Sequence, residues 1–222
     1  MSAAPPAELP SYLYLNERPH GGHAKQLDMI GAAGRVLDVG CSWGYLAREL
    51  LKRGNSAVVG MELDPELGER AREVCEEVLI GDVEEQELTW EPGSFDAVLC
   101  GDVIEHLRDP EGFLRRLRPF LKPDGRLVVS TPNVANWSNR LALLAGNWRY
   151  TEVGIVAHTH FFLFTKKTLE ETLIAAGYAI ERFDFTAPVP GGWRPLEALA
   201  HRIARLRPSL LGYQFVVAAR SQ

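Results

Sequence analysis

The stretch RVLDVGCSWG at residues 35–44 predicts a buried strand that runs into a glycine turn and then into a helix. Glycine has no Cβ, so Gly40 and Gly44 allow the backbone of this turn to come close to a bound ligand. An acidic residue, Glu62, follows at the end of the next apolar run. A carboxylate at that position can accept hydrogen bonds from ribose hydroxyls, so the unit predicts a site for a nucleoside cofactor.

Size and composition narrow the class of protein. The chain has 222 residues, of which 46% are hydrophobic and 24% charged, as expected for one ordinary globular α/β domain. A formal net charge of −5 argues against sequence-independent binding of nucleic acid, which needs a basic surface. The apolar runs are too short for a membrane-spanning helix, and residues 1–10 have the composition of a disordered tail.

Three cysteines, Cys41, Cys75 and Cys100, lie within or beside apolar runs. An odd number in such positions indicates reduced packing residues, not disulfides or metal ligands. We therefore expect a cytoplasmic protein, and the sequence predicts no metal site.

Apolar runs alternate with segments of helical length. Short, nearly continuous apolar runs of this kind are typical of parallel strands that are covered on both faces. The first five belong to that pattern, and two more follow near the end of the chain. The seven predicted strands are 36–39, 57–62, 78–80, 95–100, 126–130, 179–185 and 213–219.

Helix starts and stops are readable between these runs. Asp64 and Asp109 each precede a proline and a glutamate, which predicts an N-cap followed by a first helical turn. Thr165 or Thr168 is predicted to cap a later helix that stops at Gly177. The sequence Pro-Asp-Gly at 123–125 predicts a turn into the fifth strand.

Two segments interrupt the alternation, at about 132–164 and 186–212, and we interpret both as lid segments of a single domain over 11–222. The aromatic residues of the first segment are expected to pack the lid, and a role in contacting a substrate is compatible with that. The second contains a predicted helix at 195–207 whose apolar face is expected to pack on the domain, with contact at a membrane surface as a weaker alternative. The residues concerned are Trp137, Trp148 and Tyr150 in the first segment, and Leu196, Leu199, Ile203 and Leu206 in the second.

Acidic residues lie at or just after the ends of the first four predicted strands, as Asp38, Glu62, Asp82 and Asp102. Ligands of open parallel sheets bind beyond the carboxyl ends of the strands, so these side chains should line one crevice. The glycine turn lacks both the Gly-Lys-Ser/Thr pattern and the spacing that cradles a dinucleotide pyrophosphate. An acidic crevice without a phosphate cradle suits a positively charged nucleoside.

At this point the chain resembles the class I S-adenosylmethionine-dependent methyltransferases, in particular their ubiquinone-biosynthesis-type small-molecule branch. Each motif is weak by itself, but the ordered set covers about residues 30–185. The resemblance implies a Rossmann-like, seven-stranded, mostly parallel sheet with helices on both faces. The matching segments are 36–44, 59–62, 81–83, 94–107 (SFDAVLCGDVIEHL), 121–127 (LKPDGRL) and 160–169.

The resemblance also implies the residues that bind S-adenosylmethionine. Glu62 matches the ribose-binding acid, and the loop at 81–83 matches the segment that contacts adenine. The family usually has a further glycine where this chain has Ser42, and we expect the loop to tolerate serine because Gly40 and Gly44 remain. The full expected set is Asp38, Gly40, Cys41, Gly44, Glu62, Leu63, Asp82, Val83 and Cys100.

Three histidines are candidates for catalysis, because an imidazole can accept a proton near neutral pH. His160 is the first candidate as a base or substrate-orienting group. His158 lies two residues away and would share its face in an extended segment. His106 is the third candidate, although packing is its more common role at such a position.

The sequence therefore predicts an S-adenosylmethionine-dependent methyltransferase that acts on a small molecule, with oxygen, nitrogen or carbon as the acceptor atom. Two alternatives remain open. One is a nicotinamide-dependent oxidoreductase on a similar sheet, against which the glycine spacing argues. The other is a non-catalytic nucleoside-binding domain of the same fold, against which the presence of Glu62 and Asp82 argues.

Overall fold

The computed structural model describes residues 15, 18, 20–189 and 194–222, without the side chains of 194–197. The predicted disordered tail at 1–10 lies outside the described residues. The strands are β1 (Arg35–Val39), β2 (Ala57–Glu62), β3 (Glu77–Ile80), β4 (Phe95–Gly101), β5 (Leu121–Pro132), β6 (Tyr178–Thr186) and β7 (Gln214–Ser221). The helices are α1 (Gly22–Ile30), α2 (Tyr45–Lys52), α3 (Pro65–Ala71), α4 (Pro110–Leu117), α5 (Trp137–Leu144), α6 (Lys166–Ala175), α7 (Arg194–Ala204) and α8 (Pro208–Leu211).

The seven strands form one sheet in the order β3-β2-β1-β4-β5-β7-β6. Strands β1 to β5 are parallel to one another, whereas β7 pairs antiparallel with both β5 and β6. The order reverses at β1, where β2 lies on one side and β4 on the other. A crevice opens at such a reversal beyond the carboxyl ends of the strands, and this places the glycine turn after β1 at its centre.

Apolar side chains cover both faces of the sheet, as the strand sequences predict. Alternate residues of β1 separate into the two cores, with Leu37 and Val39 in one and Val36 in the other. Helices α4 and α6 pack on the first face through residues such as Leu114 and Leu169. Helices α1 and α2 pack on the second face. The mostly parallel, seven-stranded fold with helices on both faces is confirmed.

Local signals fixed most helix boundaries correctly. The Asp64 carboxylate accepts the backbone N–H groups of Glu66 and Leu67, and Asp109 caps α4 in the same manner. Thr165 and Thr168 cap α6 reciprocally. Each cap satisfies backbone donors that the first turn of a helix leaves without partners.

The predicted turn at 123–125 lies inside strand β5 and does not precede it. Strand β5 begins earlier, at Leu121, and residues 122–125 form an irregularity between the pairs Phe95–Leu121 and Ala97–Arg126. The Pro-Asp-Gly sequence therefore produces a bulge within a strand, because pairing with β4 resumes directly after it. Helices α1, α5 and α8 were not predicted.

The packing predicted for the helix at 195–207 is wrong. Leu199, Ile203 and Leu206 are exposed, and the side chain of Leu196 is not described. His201 is buried instead, stacked on Phe185 and 3.9 Å from a carboxylate oxygen of Asp184. The contacts of His201 with Phe185 and Asp184 of β6 therefore determine which face of α7 packs on the domain, and the apolar face of the helix does not.

Two further observations concern the described residues as a whole. Cys41, Cys75 and Cys100 are free thiols and are buried, as expected of packing residues. Within the described part of the chain, each helix is too short or too polar to cross a membrane.

Candidate cofactor and active site

The glycine turn after β1 adopts conformations that suit glycine. Gly40 and Gly44 have φ angles of +72° and +82°, in the left-handed region that disfavours other residues. A Cβ at Gly40 would lie 2.7 Å from Cγ2 of Val103, whereas one at Gly44 would meet ordinary contacts at 3.5 Å. Gly40 is therefore the tighter position, and it packs directly against the segment that follows β4.

Glu62 holds both sides of the crevice together. One carboxylate oxygen accepts the backbone N–H of Ser42 at 2.7 Å, and the other accepts that of Asp64 at 2.9 Å. The side chain is nearly buried, with 9% of the residue exposed. Each carboxylate oxygen has two lone pairs, so Glu62 can still accept hydrogen bonds from two hydroxyls of a ligand.

Ser42 occupies a strained position in this turn. Its φ is +51°, an angle that the glycine usual in this motif would adopt at little cost. The residue is buried, and its hydroxyl has no hydrogen-bond partner among the residues that the structure describes. The turn accommodates serine but carries strain at this position.

Asp38 lies at the end of β1 and is buried beneath the turn. Burial, with the nearby charge of Glu62, raises the pKa of Asp38 to about 8. Its Oδ2 atom lacks a hydrogen-bond partner in the described part of the chain. The crevice floor therefore holds a carboxyl group that is readily ionised by a cationic ligand.

Of the other predicted cofactor residues, some are exposed or half-buried and some are buried within the domain. Leu63 is 67% exposed beside Glu62, whereas Asp82 is half-buried and its carboxylate accepts the backbone N–H of Glu84 at 2.9 Å. Asp82 thus supports the turn that follows β3. The side chains of Val83, Cys41 and Cys100 are buried in the two cores, so those residues present only backbone to a ligand.

Asp102, after β4, is held by a polar network. Gln214 donates from Nε2 to both carboxylate oxygens at 2.7 Å, and the Ser130 hydroxyl donates to one of them at 3.0 Å. Gln26 in turn donates to the Ser130 hydroxyl at 2.7 Å. The network fixes Asp102 despite a strained φ of +55°.

The structure brings His106 and His160 together. Their rings meet edge to face with centroids 4.7 Å apart. The Nδ1 atom of His106 lies 3.0 Å from the carbonyl oxygen of Thr159, and that of His160 lies 3.1 Å from the carbonyl oxygen of Ile155. Burial, with the neighbouring His160, lowers the pKa of His106, so its imidazole is neutral near pH 7.

His158 lies apart from this pair. It is exposed and stacks on Tyr150 at 5.8 Å, with Nε2 3.9 Å from Glu152. A turn closed by the His160 N–H and the Ala157 carbonyl separates the two histidines, so the expectation of a shared face in an extended segment is wrong. The turn directs only His160 toward His106.

The aromatic residues of the first lid segment do not pack it as predicted. Trp137, Trp148 and Tyr150 are all more than 40% exposed, and α5 has no buried residue. The segment is fixed at its far end, where the N–H groups of Phe161 and Phe162 both donate to the carbonyl of Glu105. The segment is therefore held in place near Glu105, while the side chains of Trp137, Trp148 and Tyr150 are exposed.

The sequence reasoning missed two participants. Glu105 is buried beside His106, and its only sequence signal is an acidic residue within an apolar stretch. Gln214 had no signal, because its contact with Asp102 joins residues 112 positions apart.

Comparisons with known proteins are consistent with this geometry. The family described as "Methyltransferase domain" matches residues 14–182. A ubiquinone biosynthesis O-methyltransferase of Neisseria meningitidis is 37% identical over 118 residues, which cover 50% of this chain and 48% of that relative. One of Xanthomonas campestris is 34% identical over 140 residues, 58% of each protein. The chain spans about half the length of the curated relatives it matches.

Solved structures share the fold. A Mesorhizobium loti S-adenosylmethionine-dependent methyltransferase aligns with a TM-score of 0.64 at 19% identity, covering 90% of this chain and 98% of that one. The Burkholderia thailandensis 1,6-didemethyltoxoflavin-N1-methyltransferase, solved with bound 1,6-didemethyltoxoflavin and S-adenosylhomocysteine, aligns with a TM-score of 0.57 at 20% identity, covering 90% of this chain and 76% of that one.

The seven-stranded sheet and the glycine turn after β1 define a Rossmann-like domain. The family match extends over more than half of the residues. The chain belongs to the family of methyltransferase domains, and the sequence-based assignment to that family is confirmed.

Proposed function

We propose that this methyltransferase domain uses S-adenosylmethionine to methylate a small molecule in the cytoplasm. The observation that carries the proposal is Glu62, whose carboxylate is fixed by N–H groups from the glycine turn and from the start of α3. A carboxylate held in this way needs no rearrangement before it accepts the ribose hydroxyls. The exposed Leu63 beside it offers an apolar surface to the adenine ring.

Charge supports the choice of cofactor. S-adenosylmethionine carries a sulfonium and an amino group, and both are cationic. After burial, the negative charge of Glu62 is a cause of the raised pKa of Asp38, and a cationic ligand would offset that negative charge. A dinucleotide, with its anionic pyrophosphate, would add to it, which argues against a nicotinamide cofactor.

For the acceptor, we infer a hydroxyl group placed at the His106–His160 pair. The sulfonium methyl is already activated, so the protein must position the acceptor, exclude water and remove the acceptor proton. His160 has a half-buried ring whose Nδ1 is anchored, which leaves Nε2 to accept that proton. The curated relatives are O-methyltransferases, which favours oxygen as the acceptor atom.

The first lid segment, 132–164, is proposed to close over the acceptor and to recognise it. Loops of this length usually have a function when they are ordered. Its exposed Trp137, Leu144 and Trp148 would bury apolar surface on closure. This favours an acceptor with an apolar portion next to its hydroxyl.

Isothermal titration of the purified chain with S-adenosylmethionine tests the cofactor. Glu62→Gln removes the charge at nearly constant shape, and we expect affinity to fall by about 1.5–3 kcal/mol, roughly 10- to 100-fold. Glu69→Gln is the matched control, because Glu69 is an exposed carboxylate paired with Arg72 on the outer surface. Equal affinities for the wild type and Glu62→Gln would contradict the ribose assignment.

A second titration with NAD(H) addresses the oxidoreductase alternative, and binding of NAD(H) without S-adenosylmethionine would favour it. The acceptor is sought by incubating the chain with S-adenosylmethionine and pooled metabolites. Mass spectrometry then detects products that are heavier by one methylene. Cofactor binding without any methylated product in such pools, or with isolated phenols and alcohols, would favour the non-catalytic alternative.

A further inference from the structure

A cavity of about 230 Å³ lies between residues 18–22, at the start of α1, and the connected ends of β6 and β7. It is smaller than the roughly 300–1,000 Å³ of pockets for drug-sized ligands, so it suits one small group or ring. Among the described residues that line it there is no carboxylate, whereas Arg18 contributes a permanent positive charge and His20 a ring N–H donor. The side chains that line it include those of Arg18, His20, Thr186, Pro188, Tyr213 and Gln214.

Stacked rings hold His20 at the wall of this cavity. The ring of His20 stacks on that of His201 in α7, with centroids 4.9 Å apart and planes inclined by 10°. His201 is buried and stacks in turn on Phe185 of β6 at 4.8 Å. His20 is therefore oriented by two elements of the fold, and a side chain held in this way loses little conformational entropy when it binds a ligand.

The cavity adjoins the first lid segment through Tyr213. The Tyr213 hydroxyl oxygen lies 3.4 Å from the position that a Cβ would take at Gly154. The next residue of the lid, Ile155, has its carbonyl oxygen 3.1 Å from Nδ1 of His160. One short stretch of the lid thus contacts both the wall of the cavity and the histidine at which we place the acceptor hydroxyl.

Charge determines which part of the cavity favours an anion. Gln214 donates to the carboxylate of Asp102, and that negative charge opposes an anion on the Gln214 side. Partial burial, with the charge of Asp102, raises the pKa of Tyr213, so its phenol keeps its proton and remains a donor. An anion is therefore favoured beside Arg18 and His20 and disfavoured beside Gln214.

We propose that this cavity binds a carboxylate or phosphate group of the acceptor, with Arg18 and His20 as its donors. A guanidinium group matches the geometry of both anions and forms charge-assisted hydrogen bonds with them. Pro188 offers apolar contact to the part of the acceptor that joins its anionic group to its hydroxyl. This role rests on the proposed function, since it gives an anionic end to the acceptor whose hydroxyl lies at the His106–His160 pair.

Binding of small model anions to the full chain tests the cavity, and ligand-observed NMR at fixed ionic strength measures their affinities. The probes are benzoate and phenyl phosphate, with benzamide as the neutral counterpart of benzoate. We expect the wild type to bind at least one of the anions, and to bind benzamide at least about 10-fold more weakly, since benzamide lacks the charge-assisted hydrogen bonds. Binding of benzoate alone would assign a carboxylate to the acceptor, and binding of phenyl phosphate alone would assign a phosphate.

Two variants locate the binding at the cavity. Arg18→Gln should weaken anion binding roughly 10- to 100-fold, because it removes the positive charge. His20→Phe should weaken it about 10-fold, because phenylalanine can keep the stack on His201 but has no ring N–H. Arg53→Gln is the matched control, since Arg53 is exposed at the end of α2 and is not part of the cavity lining. Circular dichroism confirms that each variant is folded.

Three results would overturn the site: no binding of either anion, equal affinity of the wild type for benzoate, phenyl phosphate and benzamide, or wild-type affinity for the anions in both cavity variants. Isothermal titration with S-adenosylmethionine is the separate arm. A chain that binds S-adenosylmethionine but neither anion would refute this inference alone. A chain that binds the anions but not S-adenosylmethionine would refute the proposed function alone.

Kinetics with the acceptor found in the metabolite pools connect the cavity to turnover. Arg18→Gln should raise KM for that acceptor roughly 10-fold or more while kcat changes little, because the anionic group is bound equally before and during methyl transfer. An unchanged KM would show that the acceptor does not use the cavity.

Discussion

The two sides of the crevice differ in how they are held. On the cofactor side, the turn 40–44 and residues 62–64 are joined by backbone hydrogen bonds to one buried carboxylate. On the lid side, segment 132–164 is anchored near Glu105 but exposes most of its large apolar side chains. The cofactor side is thus held by hydrogen bonds within the chain, whereas the lid side exposes the apolar surface that we propose an acceptor covers. Substitutions on the two sides should accordingly affect different measurements.

The largest effect is expected at Gly40. Gly40→Val should abolish binding of S-adenosylmethionine, because the side chain would clash with Val103 and block close approach of the ligand. Gly31→Val is the matched control, since Gly31 has a similar φ of +65° but open space around its Cβ position. Calorimetry on both folded variants separates the effect of a positive φ, which both positions have, from the ligand contact. Tight binding by Gly40→Val would mean that the ligand does not lie over this turn.

On the lid side, the sharpest comparison is between the two histidines of one segment. His160→Ala should reduce turnover of the acceptor by roughly 10²- to 10⁴-fold if His160 removes the proton, while affinity for S-adenosylmethionine stays nearly constant. His158→Ala should leave turnover unchanged, because its ring lies outside the pair. Steady-state kinetics on both variants checks this. Equal turnover in all three proteins would place the activating group elsewhere and favour a nitrogen or carbon acceptor.

The contrast between the sides also explains what the sequence could predict. Glu62 and the glycines were predictable because a strand end and a left-handed turn impose residue types at fixed spacing. The contact between His160 and His106 was not predictable, because it depends on a turn at 157–160. The sequence had suggested an extended segment there. The contact between Gln214 and Asp102 could not be predicted, because it joins residues that are far apart in the sequence.

An intermediate effect is expected from the buried carboxyl of Asp38. Its pKa is raised from 3.8 in the unfolded chain to about 8 in the fold. Between these values the folded state keeps a proton that the unfolded state has lost, so stability falls as pH rises from about 4 to 8. Asp38→Asn should remove this part of the decline and stabilise the ligand-free chain at pH 8 by on the order of a few kcal/mol, several degrees in Tm.

Scanning calorimetry at intervals from pH 4.5 to 8.5 measures that difference. Glu105 remains in the variant, and burial raises its pKa in the same direction, so a residual decline is expected. Parallel curves for wild type and Asp38→Asn would show that Asp38 is ionised throughout this range.

The smallest effect on stability is expected at Ser42, whose left-handed φ strains the turn on the cofactor side. Ser42→Gly should stabilise the chain by about 1 kcal/mol, because relief of the left-handed φ and loss of an unpartnered hydroxyl outweigh the greater entropy of an unfolded glycine. Ser42→Ala separates the two causes, since alanine loses the hydroxyl but keeps the strain. The N–H bond to Glu62 survives in both, so affinity for S-adenosylmethionine should not change. If either variant bound the cofactor more weakly, the buried hydroxyl would be a cofactor contact, and the serine at this position would serve binding at a cost in stability.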